Sequence, residues 1–220
     1  MKLVPNTKLL FIGDSITDAE RHPQGEGLFD ALGKGYVSQV DALLGTVYHK
    51  HGIRVVNKGI SGNTVRDLKA RWQQDVTEQS PDWLSIMIGI NDVWRQFDLP
   101  QMKELHIDIQ EYESTLNELV DKTIPSLKGL VLMTPYYIEP SKTDAMRTMM
   151  DQYGAAVKRT ASRVGAVFVD TQAAFDTVLK SYYPAMLAWD RVHPTAKGVT
   201  VISRAFLKAI DFDWLHEAYV

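Results

Sequence analysis

The stretch Lys8–Ser15, which reads KLLFIGDS, joins a short apolar run to a tight polar turn. Lys8–Ile12 is nearly all apolar, as is typical of a strand whose two faces are both covered by helices. Gly13-Asp14-Ser15 follows directly, so the serine would stand at the carboxyl end of that strand. In open sheets of parallel strands, ligands bind beyond those carboxyl ends. This stretch therefore indicates both the type of fold and the edge of the sheet where its chemistry takes place.

Similar apolar runs recur along the chain and alternate with longer amphipathic segments. The further predicted strands are Ile53–Asn57, Trp83–Ile88, Gly129–Met133 and Ala166–Val169. The predicted helices are Tyr36–Tyr48, Thr64–Asp75, Glu111–Ile124, Asp144–Val164 and Thr195–Ile210, the last of them entered through Pro194. Gly25–Gly35 is predicted to be a loop. Because parallel strands need helical crossovers, the alternation predicts an α/β protein with three layers, formed by residues 1–220 as one domain.

The composition of the 220 residues excludes several classes of function. There is no cysteine, which rules out disulfides, thiolate metal sites, iron–sulfur clusters and a cysteine nucleophile. The 27 acidic and 24 basic residues leave a net charge of −3, so bulk charge does not hold this chain to nucleic acid or to an anionic membrane. We therefore expect neither a nucleic-acid partner nor a membrane partner.

Targeting and metal-binding signals are missing from the sequence as well. No apolar run approaches the length of a membrane span, and Met1–Asn6 does not begin a signal peptide, so the predicted location is the cytoplasm. No histidine pair stands at a metal-ligand spacing on a predicted helix. We therefore predict no metal and no cofactor.

The ends of the predicted strands carry the residue types that acyl transfer requires. Ser15 is a candidate nucleophile, and a serine hydroxyl needs a base to take its proton. His193 is the candidate base, and Asp190 stands three residues before it, where one turn could carry both side chains. Gly62 and Asn91 offer a backbone and a side-chain N–H for a developing oxyanion, together with the Ser15 amide. Taken singly, each residue could equally be a turn, cap or surface residue; their joint order favours catalysis.

These segments resemble the SGNH, or GDSL, hydrolase family over about Lys8 to Phe206. The matching blocks are Gly13–Ser15, Gly62 within Ile60–Thr64, Gly89–Asp92 and Asp190–Pro194. The resemblance implies a flavodoxin-like sheet of five parallel strands and hydrolysis of carboxylic esters without a cofactor. It also implies that Ser15 is the nucleophile, that Asp190 and His193 are the acid–base pair, and that the Ser15 amide, Gly62 and Asn91 bind the oxyanion.

Three wider segments are most similar to the bacterial branch of this family that contains acetylxylan esterases. They are Val56–Thr64, Ile88–Arg95 and Ala188–Pro194. The resemblance implies removal of acetyl groups from acetylated xylo-oligosaccharides or related sugars, and a homo-oligomer, since members of this branch assemble. The residues expected to bind the substrate are Asp14, Trp94, Tyr183 and Trp189, the aromatic ones because aromatic faces suit sugar rings. The apolar C-terminal segment Phe212–Val220 is expected to dock on its own domain or on a neighbouring subunit.

Three alternative functions compete with this hypothesis. An α/β-hydrolase needs Gly-x-Ser-x-Gly, and Thr17 stands where the second glycine belongs, which argues against it. A short-chain thioesterase or lysophospholipase of the same family remains open. A non-catalytic flavodoxin-like binding domain also remains open, although a phosphate loop needs Ser or Thr where Gly35 stands.

Overall fold

The computed structural model describes residues 1–24 and 30–216 and shows a sheet of five parallel strands. The strands are β1 (Lys8–Gly13), β2 (Arg54–Gly59), β3 (Trp83–Met87), β4 (Gly129–Met133) and β5 (Val167–Val169). Their order in the sheet is β2-β1-β3-β4-β5. The order reverses direction between β1 and β3, and such a switch point is where α/β proteins bind ligands. The predicted flavodoxin-like parallel sheet is confirmed.

Helices cover both faces of this sheet and complete the three predicted layers. They are α1 (Ser15–Asp18), α2 (Tyr36–Val47), α3 (Val65–Trp72), α4 (Ile90–Asp98), α5 (Ile109–Thr123), α6 (Ala145–Val164), α7 (Thr171–Leu179) and α8 (Ala196–Ala209). Helix α8 packs against α2 and α7, whereas α5 packs against α3 and α6, and α6 also packs against α4. Short 3-10 turns lie at His49–His51, Lys103–Leu105, Ile124–Ser126 and Pro184–Met186, and a π turn at Gln73–Thr77.

The register of the sheet brings the strand ends together in one row. Gly13 of β1 is paired with Gly59 of β2 and with Met87 of β3. Met87 is in turn paired with Met133, and Met133 with Val169. The loops that leave these residues therefore begin side by side. This alignment allows residues far apart in the sequence to form one site.

The core lies on both faces of the central strands. Residues 9–12 of β1 are completely buried, and Phe11 packs against the rings of Tyr36 from α2 and Phe206 from α8. Met87 and Met133 are also buried, as expected for methionines in interior strands. Burial on both faces explains why β1 is a continuous apolar run rather than an alternating one.

Several elements differ from the sequence predictions. Helices α1, α4 and α7 were not predicted: α1 has only four residues, and α4 and α7 have nine residues each, which is shorter than the window over which a helical period is recognised. Helix α8 begins at Ala196 after the N-cap Thr195, so Pro194 precedes the helix instead of being its first residue. Of the predicted loop Gly25–Gly35, residues 25–29 lie outside the described part of the chain, and residues 30–35 contain neither helix nor strand.

The C-terminal segment is partly docked on its own chain. Phe212 is buried against Tyr48, and the ring of His216 stacks on Tyr48 with the ring centroids 4.1 Å apart. Trp214 is half exposed and Leu215 is almost fully exposed. Residues 217–220 of the predicted docking segment lie outside the described residues. In the part of the chain that the structure describes, no helix has the length and apolar character to cross a membrane.

Candidate active site

The turn after β1 presents the hydroxyl of Ser15 at the carboxyl edge of the sheet. Asp14 is the N-cap of α1, and its carboxylate accepts a hydrogen bond of 3.0 Å from the amide of Ile16. Gly13 is needed for the close approach of the neighbouring strand, because a Cβ there would lie 2.3 Å from the carbonyl oxygen of Met87. The local sequence therefore fixes where the serine stands.

Ser15, His193 and Asp190 form a continuous hydrogen-bonded chain, as the sequence motifs predict. The Ser15 Oγ lies 2.9 Å from Nε2 of His193, and Nδ1 of His193 lies 2.6 Å from Oδ2 of Asp190. The other oxygen of Asp190 accepts the backbone amides of Val192 and His193 at 3.0 and 2.8 Å. In this arrangement Nδ1 carries the proton, which leaves Nε2 free to accept the proton of the serine.

Hydrogen bonds also keep the carboxylate of Asp190 ionised. Partial burial alone would raise the pKa of Asp190. The hydrogen bonds from the His193 ring and from the amides of Val192 and His193 outweigh that effect and lower the pKa below its ordinary value. A negative charge is therefore held beside the imidazole, where it would stabilise the cation that forms when His193 takes a proton.

The loop that carries Asp190 and His193 is anchored to the segment after β4. The amide of Ile138 donates to the carbonyl of Arg191 at 2.9 Å, and the Tyr136 hydroxyl donates to the carbonyl of Val192 at 3.0 Å. Arg191 has a φ of +65°, a left-handed conformation that is unfavourable for a side chain of this size, and it forms an ion pair with the mostly buried Glu139. Glu139 is not apparent from the sequence alone, because a lone glutamate after a strand carries no motif signal.

Gly62 lies on the loop after β2 and Asn91 lies at the start of α4, and a hydrogen bond joins these two segments. Gly62 adopts a φ of +83°, which glycine tolerates far better than other residues. Asn91 is buried in the first turn of α4, and its Nδ2 donates to the carbonyl of Asn63 at 2.9 Å. Nη2 of Arg95 lies 3.4 Å from the Asn91 Oδ1. Because the Asn63 carbonyl can only accept and the Arg95 guanidinium can only donate, both contacts favour the amide orientation with Nδ2 toward Asn63 and Oδ1 toward Arg95. The second hydrogen on Nδ2 stays available for an oxyanion.

Two buried carboxyl groups lie beneath these loops. Burial raises the pKa of Asp14 to about 7, with Asp92 adding to the rise, and burial likewise raises the pKa of Asp92 to about 7. Asp92 accepts the amide of Val65 at 3.0 Å through one oxygen, whereas its other oxygen is buried without a hydrogen-bond partner. Asp14 has almost no exposed surface. The structure therefore places it under the catalytic turn rather than at the surface where substrate would bind.

A cleft of about 340 Å³ opens beside the serine and the histidine. Its rim carries an exposed ion pair between Lys34 and Glu20, with the Nζ and Oε2 atoms 2.7 Å apart. The remaining lining is mostly small or moderately apolar and consists of Ile16, Ala19, Gly35, Ser61, Pro194 and Val199 together with Ser15 and His193. The space thus gives direct access to the hydroxyl of Ser15.

Of the predicted substrate-binding aromatic residues, Trp94 is the one in contact distance of the histidine. Its ring centroid lies 6.0 Å from that of His193. Trp189 precedes Asp190 and is 80% exposed, and Tyr183 is 73% exposed, so both offer free aromatic faces to the solvent. Among residues 1–24 and 30–216, no group of three or more histidine, aspartate or glutamate side chains is arranged to hold a metal ion.

Comparison with known proteins identifies relatives over nearly the whole chain. Residues 11–201 match the model of the GDSL-like lipase/acylhydrolase family. An acetylxylan esterase from Geobacillus stearothermophilus is 62% identical over 216 residues, which cover 98% of this chain and 99% of that protein.

The structural comparison agrees with the sequence comparison. A crystal structure of an acetylxylan esterase from Geobacillus stearothermophilus superposes with a TM-score of 0.96 at 63% identity and covers 97% of this chain and 98% of the other. Further structures of that enzyme are described as catalytic mutants in which a serine, an aspartate or a histidine is replaced by alanine. These are the same three residue types that meet at the strand ends of this chain.

Proposed function

Because this chain belongs to the GDSL-like lipase/acylhydrolase family, we propose that it is a serine esterase that removes acetyl groups from acetylated xylo-oligosaccharides or related sugars. The observation that carries the proposal is the chain of hydrogen bonds from the Ser15 hydroxyl through His193 to Asp190. A hydroxyl within 2.9 Å of an imidazole nitrogen, with a carboxylate on the far side of the ring, is arranged for nucleophilic attack.

In the first half of the proposed reaction, the Ser15 oxygen attacks the acetyl carbonyl while Nε2 of His193 takes the hydroxyl proton. The carbonyl oxygen becomes negatively charged and would be stabilised by the amides of Ser15 and Gly62 and by the free Nδ2 hydrogen of Asn91. The imidazolium then gives its proton to the leaving sugar oxygen as the C–O bond breaks. The products of this half are the free sugar hydroxyl and an acetyl group bound to Ser15.

In the second half, water takes the place of the sugar. Nε2 of His193 removes a proton from the water as its oxygen attacks the acetyl carbonyl, and the same donors bind the second oxyanion. The proton then returns to the Ser15 oxygen as its bond to the acetyl carbon breaks, acetic acid leaves and ionises to acetate in the solvent, and the site is restored. Asp190 stays ionised throughout and stabilises the imidazolium in both halves, which its lowered pKa favours.

The acetylated sugar is proposed from the named relative together with the exposed aromatic residues. The relative at 62% identity is an acetylxylan esterase. Trp94 lies near His193, and Trp189 is next to Asp190 in the chain and strongly exposed, so aromatic faces are available on the approach to the site. Tyr183 is proposed to contribute in the same way. Such faces suit the apolar faces of sugar rings better than they suit a fatty-acyl chain.

The decisive experiment follows acetate release from acetylated xylo-oligosaccharides by the wild-type protein and by Ser15→Ala. We expect steady release by the wild type and no release above background by the variant. Comparing p-nitrophenyl acetate, butyrate and octanoate with an acetyl thioester separates the alternatives within the family. Preference for octanoate or for the thioester would favour a lysophospholipase or a thioesterase, and activity that does not depend on Ser15 would contradict the proposal.

A cytoplasmic location and a homo-oligomeric state complete the proposal. The location is proposed because a chain without cysteine suits a reducing compartment. The oligomer rests on the family resemblance, and the half-exposed Trp214 and exposed Leu215 side chains provide apolar surface for a second copy to cover. Cell fractionation and sedimentation of the purified protein test these two statements separately.

A further inference from the structure

Arg71, near the end of α3, reaches into the space between the loops that carry Ser15 and Gly62. Its Nε donates to the Oδ1 of Asn63 at 2.6 Å, and its Nη2 donates to the carbonyl of Gly13 at 3.0 Å. Its Nη1 donates to the carbonyl of Lys58 at 2.8 Å and to Asp75 at 2.9 Å. Only 13% of the side chain is exposed. One side chain therefore joins the ends of β1 and β2 and the loop that follows β2.

The contact with Asn63 connects Arg71 to two of the three predicted oxyanion donors, the Gly62 amide and the Asn91 side chain. Asn63 follows Gly62 directly, so holding the Asn63 side chain limits the rotation of the peptide that positions the Gly62 amide. The carbonyl of the same Asn63 accepts the hydrogen bond of 2.9 Å from Nδ2 of Asn91. A displacement of Asn63 would therefore move the backbone donor and the side-chain donor at the same time.

The contact with Gly13 links the loop of these oxyanion donors to the segment that carries the nucleophile. Gly13 lies two residues before Ser15, and its carbonyl also accepts the amide of Ile60 at 3.1 Å. The other side of the loop is fixed to α1, because both the amide and the hydroxyl of Ser61 donate to Asp18, at 3.0 and 2.7 Å. The loop from Ile60 to Asn63 is thus tied to the helix of the nucleophile at one end and to Arg71 at the other.

Only arginine matches this set of acceptors. The four acceptors of Arg71 lie around a flat group and engage Nε and both terminal nitrogens. A guanidinium supplies five N–H donors in a fixed plane, whereas a lysine ammonium places its three donors on one atom. Lysine at this position would keep the charge next to Asp75 and lose the simultaneous contacts with Asn63 and Gly13.

From these contacts we propose that Arg71 is a positioning residue that holds the Gly62 and Asn91 donors at a fixed place relative to Ser15. The inference rests on the proposed function, because it assumes that these two groups bind the oxyanion. The described hydrogen bonds of Arg71 include none to Ser15 or His193. Its contribution would be realised when charge develops on the carbonyl oxygen, and it should therefore appear in kcat and leave KM nearly unchanged.

The test compares two substrates that differ in the atom that becomes charged. In p-nitrophenyl acetate the negative charge develops on oxygen; in p-nitrophenyl thionoacetate, which has C=S in place of C=O, it develops on sulfur. Sulfur is larger and a weaker hydrogen-bond acceptor, so the thiono ester gains less from oxyanion donors. The ratio of kcat for the oxo ester to kcat for the thiono ester measures how well the donors are placed. A general loss of stability or of active enzyme lowers both rates and leaves the ratio unchanged.

Four variants are compared with the wild type. Arg71→Lys removes the fork of donors, and Asn63→Ala removes only the acceptor that links Arg71 to the loop, while the Asn63 backbone carbonyl remains. Asn91→Ala removes a proposed oxyanion donor directly and shows how far the ratio falls when one donor is lost. Thr123→Val, on α5, is the matched control. It removes the hydroxyl that accepts a hydrogen bond of 2.8 Å from Nε1 of Trp72, the neighbour of Arg71 on α3, and this contact lies away from the loop.

We expect Asn91→Ala to lower kcat for the oxo ester about a hundredfold and to lower the ratio strongly. Arg71→Lys and Asn63→Ala should each lower kcat about tenfold, reduce the ratio and leave KM within about twofold. Thr123→Val should leave the ratio at the wild-type value. If Arg71→Lys does not fold, Asn63→Ala alone decides the question.

Two different results would overturn the inference, and they are distinguishable. In the first, Asn91→Ala lowers the ratio, but Arg71→Lys and Asn63→Ala leave it at the value of the control variant. Arg71 then only stabilises the fold, and the proposed oxyanion site stands. If Asn91→Ala also leaves the ratio unchanged, the assignment of the oxyanion donors is itself wrong and the role of Arg71 is lost with it.

Discussion

The hydroxyl oxygen of Ser15 lies 2.9 Å from Nε2 of His193, although the two residues are 178 positions apart in the chain. This is an ordinary hydrogen-bond distance, so the pair is assembled before any substrate binds. Many free enzymes have longer or poorly aligned contacts between nucleophile and base. The proposed acylation step therefore needs no movement of these two side chains toward each other.

Replacing Ser15 with alanine removes the atom that would bond to the acetyl group. We expect kcat for p-nitrophenyl acetate to fall by about a thousandfold or more, because the remaining groups cannot form an acyl-enzyme. The measurement is the initial rate, together with mass spectrometry of the acid-quenched protein, which should show an acetyl adduct on the wild type alone. A variant that retains most of its turnover would show that Ser15 is not the nucleophile.

Replacing Asp190 with asparagine tests the orientation of the imidazole. The amide oxygen can still accept the backbone amides of Val192 and His193, so the loop should keep its shape. The partner of Nδ1 loses its charge, and an amide N–H facing Nδ1 would favour the tautomer whose proton sits on Nε2. We expect kcat to fall by about ten-thousandfold with little change in melting temperature. A comparable loss of stability and activity would indicate that Asp190 mainly holds the loop together.

The buried carboxyl groups of Asp14 and Asp92 make the stability of the fold depend on pH. Burial raises both pKa values from an ordinary 3.8 to about 7, and the nearby Asp67 and Glu111 add to the rise for Asp92. Between these values the folded protein binds more protons than the unfolded chain does. The free energy of unfolding therefore falls as the pH rises from about 4 to about 7.

Asp92→Asn should reduce this dependence, because asparagine does not titrate and its side-chain oxygen can still accept from Val65. We expect the fall in unfolding free energy between pH 5 and pH 8 to shrink by about 1–3 kcal/mol in urea titrations. The exposed Asp121, which pairs with Arg163, provides the control Asp121→Asn, whose pH dependence should match the wild type. An unchanged dependence in Asp92→Asn would mean that this carboxyl ionises normally.

Replacing Trp94 with leucine tests the predicted contact with sugar. Leucine keeps apolar volume beside His193 but offers no aromatic face, so loss of stacking should raise KM for acetylated xylo-oligosaccharides about threefold to tenfold. The small ester p-nitrophenyl acetate has no sugar ring and should be hydrolysed with nearly unchanged KM. Equal effects on both substrates would place Trp94 in the support of the His193 ring and not in sugar binding. Trp214→Leu, on the C-terminal segment, is the matched control.

The proposed catalytic groups could be picked out from the sequence because each stands in a short motif, Ser15 after a strand and the Asp190–His193 pair just before the last helix. Asp190 and His193 are three residues apart, which suffices to place them on one turn, and Ser15 follows an unmistakable apolar strand. The row of paired strand ends at Gly13, Gly59 and Met87 then brings the motifs together. The local sequence pattern and the parallel topology were enough to predict that these residues lie close together.

The residues that support the site could not be predicted in the same way. Arg71 is a cation on a polar helix, and its role depends on loops that approach it only after folding. The burial of the Asp14 side chain could not be predicted either, because a motif specifies the type of residue and not the side of the turn that its side chain faces. Glu139 acts through Arg191, more than fifty positions away, and no local spacing reports such a pair.

The wide separation of Ser15 and His193 has a consequence for synthesis on the ribosome. The nucleophile leaves the exit tunnel 178 residues ahead of the base, and the helix behind the base, Ala196–Ala209, emerges later still. Strand β1 also needs β3 as a neighbour, so the central pairing cannot form until at least residue 87 has been made. A nascent chain that stops before residue 193 carries a serine without its base. Hydrolytic activity should thus appear only after His193 and the helix Ala196–Ala209 have emerged, which makes it a direct reporter of folding.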